Sequence, residues 1–343
     1  MGNSNKKGKR QLEASKFGDI SFKVDKSSYK AGDTISGNIT INLLQAFPGN
    51  ILFLKFKGKE VVHIVKSFFV GTVTQDAIYS QNKNLLKQEI PLKIWENAQV
   101  LQPGQYEIPF SIAIPLDVPS SFYQQGFKYV ASIYYQLEAF LQPHNKKDPK
   151  PKFKQNILIQ ETLKNVQDNY SKEINTNLHT MKLISKGSNK LRAAFSKNYF
   201  SAGEAVKVAV ELNNSQSQLN NKKITLKLKQ KLSLTANYMN MTEVFTKAKC
   251  KISGVPAGAL INSEILSLTL PSFLSQEAIT FDLKKPQQHK LLTYSEDSKF
   301  LSTTTKSSLI SSEYFLEVSC KMEGLTSETP KIEYPIQIYH EKC

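Results

Sequence analysis

Apolar and polar residues alternate along most of this 343-residue chain with the period of two that belongs to strands rather than helices. Residues 29–42, YKAGDTISGNITIN, set Ile35, Ile39 and Ile41 against Thr34, Ser36, Asn38 and Thr40, with Gly32 supplying a turn at the entrance. Residues 199–214, YFSAGEAVKVAVELNN, repeat the arrangement, with Val206, Val208, Val210 and Leu212 opposite Ala205, Lys207, Ala209 and Glu211. Three further blocks recur in the same order. LFLKFKGK at 52–59 is answered by ITLKLKQK at 224–231, FSIAIP ending at Pro115 by LSLTLP ending at Pro271, and YYQLEAFL from Tyr134 by EYFLEVSC from Glu313. Gly32 thereby matches Gly203, and Tyr135 matches Tyr314. Collinear matches of this kind indicate one domain written twice.

Short alternating strands between Gly, Pro, Asn and Ser clusters, almost without helical periodicity, predict an all-β chain of two tandem immunoglobulin-like β-sandwich domains. The expected organisation is a flexible basic segment over 1–16, a first sandwich over 17–170, a patternless linker over 171–179 and a second sandwich over 180–343.

Composition narrows the function. Lysine and arginine outnumber acids 45 to 29, a net charge of +16 that favours phosphorylated tails, acidic lipid headgroups or nucleic acid as partners. Cys250, Cys320 and Cys343 form no CxxC pair, no apolar leader follows Met1, and no run approaches the ~18 apolar residues of a membrane span. An intracellular protein with reduced thiols is expected, with Cys250 and Cys320 acting as small apolar residues. The histidines His63, His144, His179, His289 and His340 are scattered without metal spacing, and no P-loop, nucleophile elbow or dinucleotide turn occurs. A non-enzyme with no cofactor and no metal is therefore expected.

The motifs resemble those of the arrestins, and more closely the α-arrestin (arrestin-domain-containing) branch. Tyr29, Gly32, Asp33, Ile35 and Gly37 are similar to that family's entry strand. LQPGQYEIPFSIAIPLDVPSSF at 101–122 resembles its L-x-x-G-x-[YH]-x-[FI]-P-F block with the following P-S-S-F, and YVASIYYQLEAFLQP the strand closing its first domain. In the second half, residues 194–218, ITLKLKQKLSL, SSLISSEYFLEV and YPIQIYH look like the successive strands of its C-terminal domain. The resemblance implies a cytoplasmic adaptor, peripherally associated with plasma or endosomal membrane, that binds cytosolic segments of receptors, channels or transporters and supports their sorting, endocytosis or ubiquitin-linked trafficking. No PPxY motif is present, so ubiquitin ligase or coat machinery is expected to be reached through another protein. The alternatives are a retromer-type arrestin-fold coat subunit and, more remotely, a basic sandwich that binds nucleic acid. The last needs aromatics interleaved with cations on an exposed face, whereas the aromatics here fall mostly at core positions, so no nucleic-acid partner is expected.

Candidate contact residues follow from the charge. In MGNSNKKGKR, Gly2 is a candidate for N-myristoylation, although Lys6 stands where the usual pattern has Ser or Thr. Lys6, Lys7, Lys9 and Arg10 supply the second, electrostatic signal that a single acyl chain needs for stable membrane binding. The alternative is a solubilising tail. PHNKKDPKPKFK at 143–154 is expected as an extended loop holding Lys146, Lys147, Lys150, Lys152 and Lys154 in solvent, available to phosphates or simply solvated. Lys55, Lys57 and Lys59, with Lys227, Lys229 and Lys231, line one strand face in each copy and read as guards against edge-to-edge pairing, the alternative being a concave surface that meets acidic cargo. Residues 289–312, rich in Ser, Thr and Lys, read as a surface insertion, open to phosphorylation.

Overall fold

The computed structural model describes residues 16–96, 99–145, 147–181, 184–273, 300–324 and 329–340. The alternating runs become strands because each buries one row of apolar side chains and leaves the other row to water or to a neighbouring sheet. β1 (Gly18–Val24), β2 (Ser28–Lys30), β3 (Thr34–Leu43), β4 (Ile51–Val70) and β5 (Val73–Ile94) open the first sandwich. β6 (Gly104–Ala113), β7 (Phe122–Gly126), β8 (Tyr129–Gln142) and β9 (Lys152–Gln160) complete it. The second comprises β10 (Asp168–Thr180), β11 (Ile184–Lys197), β12 (Tyr199–Ser201), β13 (Ala205–Asn213) and β14 (Asn221–Ala236). It closes with β15 (Met239–Ser253), β16 (Leu260–Thr269), β17 (Thr305–Lys306), β18 (Ile310–Met322) and β19 (Lys331–Tyr339). No helix occurs among the described residues.

In the first sandwich a β1-β3-β6 sheet covers a β2-β9-β8-β4-β5 sheet, with β7 added beside β8. In the second, β10-β11-β13-β16 covers β12-β19-β18-β14-β15, with β17 beside β18. Strand for strand, β1 to β9 have the same neighbours as β11 to β19, down to one short parallel pair in each copy, β2 with β9 and β12 with β19. Gly32 and Gly203 both take positive φ, +92° and +80°, in the turns before β3 and β13, a region that L side chains rarely adopt. Pro115 and Pro271 each stand two residues beyond the sixth strand of their copy.

Three expectations require correction. Residues 171–179, where a linker is expected, lie inside β10, which pairs with β11 along most of its length. Its pattern is faint because it is an edge strand: Tyr170, Ile174 and Thr176 are half-buried, Leu178 is buried, and the other residues between Tyr170 and Leu178 are exposed. The connection between the copies is 161–167. Secondly, the buried aromatic matching Tyr29 is Phe200 and not Tyr199, because Tyr29 pairs with Ile159 as Phe200 pairs with Ile338. Phe200, like Tyr29, stands three residues before the turn glycine of its copy. Thirdly, residues 300–312 are not a surface insertion. Leu301, Ser302, Thr303 and Thr305 are buried, whereas 289–299 lie outside the described residues.

Candidate functional site

The lysine-bearing strands β4 and β14 are interior, each flanked by neighbours on both sides, so an edge-guarding role does not apply. Register sets Glu89, Lys55, Glu138 and Lys154 side by side across β5, β4, β8 and β9, a row of alternating charge. Lys55 Nζ lies 2.5 Å from Glu89. Glu138, only 7% exposed, receives Lys57 at 3.1 Å and Lys154 at 3.4 Å. Burial pushes its carboxyl up, but the Lys57 hydrogen bond and the Lys154 charge outweigh that and hold it below the usual carboxylate range. The second copy builds the same clamp. Glu317, 3% exposed, takes Lys227 at 2.7 Å on one oxygen and Lys229 on the other. Its carboxyl is likewise raised by burial and brought below normal by the two lysines. Three residues before each glutamate stands a buried tyrosine: Tyr135, whose hydroxyl donates to the Pro119 carbonyl, and Tyr314, bonded to Ser302 and pushed up to about 12 by burial.

The segment after β8 is less open than its prolines and lysines suggest. β9 begins at Lys152, so Lys152 and Lys154 alternate outward along a paired strand. Lys154 belongs to the Glu138 clamp, and Lys150 packs its ammonium 3.5 Å from the Phe140 ring centroid, where burial lowers its pKa. Lys147 and Lys152 remain exposed. The Asn145 side chain shapes the turn carrying Lys147 by accepting its backbone N–H and donating to Asp148. Lys146, and the N-terminal Gly2, Lys6, Lys7, Lys9 and Arg10, lie outside the described residues.

What the alternation pattern did not reveal is the seam between the sandwiches. Leu232, Leu234 and Ala236 of β14, with Leu309 and Ile310, belong to the same apolar cluster as Val62, Ile64 and Tyr129 of the first sandwich. Around them runs a buried polar network. Gln230 donates to Gln124 of the first copy at 2.8 Å and to Ser302 and Ser312 of its own. Glu161 accepts from Thr305 Oγ1 at 2.6 Å and from the Ser120 N–H at 3.1 Å, while Thr303 donates to the Ser121 carbonyl. Glu60, fully buried, accepts from Ser307, Ser308 and the Leu309 N–H. The alternation marks only that a polar group is buried there. Gln230 occupies an inward phase in ITLKLKQKLSL, where every other inward residue is Ile or Leu. Glu138 and Glu317 likewise interrupt runs whose buried residues are otherwise largely apolar.

Among the described residues no group of three or more His, Cys, Asp or Glu is placed to hold a metal. A depression of about 320 Å³ on the four-stranded sheet is lined by Ser171, Ala194, Lys207, Ala209 and Ile265 among others, with no imidazole, thiol or carboxylate. Cys250 and Cys320 are free thiols, and burial pushes the Cys320 thiol up to about 12, leaving it protonated and unreactive. Among the described residues no helix is long and apolar enough to cross a membrane.

Comparison with known proteins agrees with this architecture. Residues 18–165 match the N-terminal domain of arrestin (or S-antigen), and residues 185–343 match the C-terminal domain. The chain is also 26% identical over 209 residues to arrestin domain-containing protein A of Dictyostelium discoideum. That match takes in 57% of this chain and 34% of that protein, so the chain spans about a third of the relative's length. Two duplicated sandwiches, a shared seam between them and matches to both domains in order establish that this chain belongs to the arrestin family, in an α-arrestin-like branch, whose members bind other proteins as adaptors.

Proposed function

We propose that the chain is a non-catalytic adaptor that binds cytosolic segments of membrane receptors, channels or transporters and supports their sorting or endocytosis. One observation carries this reading: two arrestin sandwiches, joined by a core seam, each leave strand edges and lysines exposed. The unpaired edges of β5, β6 and β10 offer main-chain hydrogen bonds to an extended peptide. Exposed cations such as Lys147 and Lys152 offer charge-assisted bonds to phosphorylated or acidic side chains beside it. Ubiquitin ligase or coat machinery is reached through another protein, and the adaptor works in the cytoplasm with peripheral contact to plasma or endosomal membrane. Gly2, if myristoylated, with Lys6, Lys7, Lys9 and Arg10 supplies part of that contact.

Proximity labelling in native cells tests the cargo. Receptors, channels or transporters among the neighbours are the expected result. Coat subunits alone move the reading to a retromer-type subunit, and ribonucleoproteins alone overturn it. Intact-mass measurement of the native protein tests acylation, and Gly2→Ala is expected to become mostly soluble in a flotation assay.

A further inference from the structure

The β4–β5 hairpin outgrows the sheet that holds it. β4 pairs with β8 only as far as Ile64 opposite Tyr129, and a last bond joins the Val65 N–H to the Lys128 carbonyl at 2.7 Å. Beyond that, residues 65–70 and 73–78 pair only with each other, down to Val70 opposite Val73 across a turn at Gly71 and Thr72. At roughly 3.4 Å per residue the ribbon projects about 20 Å from the body. Its end is apolar and bare: Phe69 is 83% exposed, Val73 60%, Val70 56% and Phe68 38%.

The placement of these residues matters more than their number. Directly opposed residues share a face, so Phe68, Val70 and Val73 lie on one side of the ribbon and Phe69 on the other. A groove on a partner protein covers one face of a two-stranded ribbon, whereas a fluid apolar medium wraps both. The antiparallel ladder satisfies the inward-facing half of the ribbon's backbone groups, and the outward-facing half keeps its partners in water and headgroups only if the tip enters no deeper than the interface. The charged groups lie further back. Lys66, its ammonium 5.4 Å from the Phe68 ring centroid, and Asp76, opposite Ser67, flank the ribbon about 14 Å behind the turn, and Lys128 marks its base. That spacing suits a tip buried ~5–10 Å at the headgroup–acyl boundary with its lysine at phosphate level. The chain's charge of +16 selects an anionic surface.

We propose that the β4–β5 tip is a bilayer-inserting wedge that seats Phe68, Phe69, Val70 and Val73 in an anionic phospholipid membrane. It rests on the membrane-facing adaptor reading but requires no cargo. Since Lys66 and Asp76 nearly cancel locally, the wedge holds by apolar burial and resists salt, unlike anchoring by the first ten residues, which salt screens.

The test uses the full chain with vesicles of phosphatidylcholine and phosphatidylserine. A Phe69→Trp reporter is expected to shift its emission to the blue and to be quenched by brominated acyl chains. The triple variant Phe68→Ser, Phe69→Ser, Val70→Ser is expected to lose at least tenfold in the vesicle binding that persists at high salt, with its unfolding temperature unchanged. Vesicle-bound protein with an unquenched reporter, or salt-resistant binding that survives the triple substitution, overturns the proposal. So does a lipid-free, concentration-dependent dimer that the triple variant abolishes without any quenching, because the tip then docks a second copy. Capture of detergent-solubilised cargo tests the adaptor reading separately, since the vesicles carry no cargo.

Discussion

The same hairpin occurs twice in this chain and does two different things. β14–β15 ends in the turn Asn237–Tyr238, whose residues both take positive φ, and this end lies on the first sandwich. The Asn237 N–H donates to Gln81 and its side chain to the Ser80 carbonyl, while Leu232, Leu234 and Ala236 behind it enter the neighbouring core. β4–β5, its counterpart, is longer and meets no such landing site among the described residues, where its apolar end is exposed. One copy of the duplicated element holds the two sandwiches together, and the other is left free to reach outward. Duplication supplied two equivalent hairpins, and only length and tip composition separate their roles.

The largest expected effect is at the fastening copy. Leu234→Ala removes a side chain only 1% exposed and is expected to cost about 2–5 kcal/mol. Because Leu234 shares the first sandwich's cluster, hydrogen exchange in β4 and β8 is expected to quicken with it. Loss of protection confined to the second sandwich breaks the fastening argument. Next come the clamps. Replacing Lys227 and Lys229 together by Met leaves the Glu317 carboxylate buried and unpaired, at a cost of about 3 kcal/mol by chemical denaturation. Lys57 and Lys154 are the more exposed pair, at 36% and 42% against 31% and 22%, so the same double change at Glu138 is expected to cost less.

The clamps also make a pH prediction. Both folded carboxylates sit below their ordinary value, so the stability they contribute is present above the unfolded-state value of about 4.3 and is lost as pH falls through the lower folded values. Glu138→Gln with Glu317→Gln is expected to flatten the acid limb of the unfolding temperature against pH. An acid limb as steep as that of the parent sinks the clamp account. Smaller still is Gln81→Ala, which removes the acceptor for the Asn237 N–H and is expected to cost about 0.5–1 kcal/mol. Phe69→Ser is expected to stay within about ±0.5 kcal/mol, since its ring touches no core. Equal costs at Leu234 and Phe69 erase the distinction between the hairpins.

Much of this fold was legible in the alternation. Ile35, Ile39 and Ile41 and their counterparts Val206, Val210 and Leu212 are buried as their phase requires, and both turn glycines take the expected backbone conformation. β10 was hidden because an edge strand with polar residues on its open face leaves only Tyr170, Ile174 and Leu178 as a trace. The lysine rows depart from expectation because periodicity assigns a face but not a place in the sheet: on interior strands Lys57, Lys227 and Lys229 are counter-ions for Glu138 and Glu317. The seam was out of reach for a different reason. A buried Gln124 or Gln230 reveals only that a partner is needed, and here the partner comes from the other sandwich. Hydroxyls in 300–312 that suggest a solvated loop are spent on bonds to Gln124, Ser121, Glu161 and Glu60.

The shared cluster also imposes an order on synthesis. The first sandwich is closed by β9, whose short parallel pairing with β2 joins residues near opposite ends of that domain. Even then Val62, Ile64 and Tyr129 lack the Leu234, Leu309 and Ile310 that cover them in the finished molecule. A ribosome adding ~5–20 residues per second takes roughly 8–30 s to travel from Gln160 to Ile310. For that interval the newly closed domain carries an open apolar face beside unpaired strand edges, the combination that invites aggregation or a chaperone.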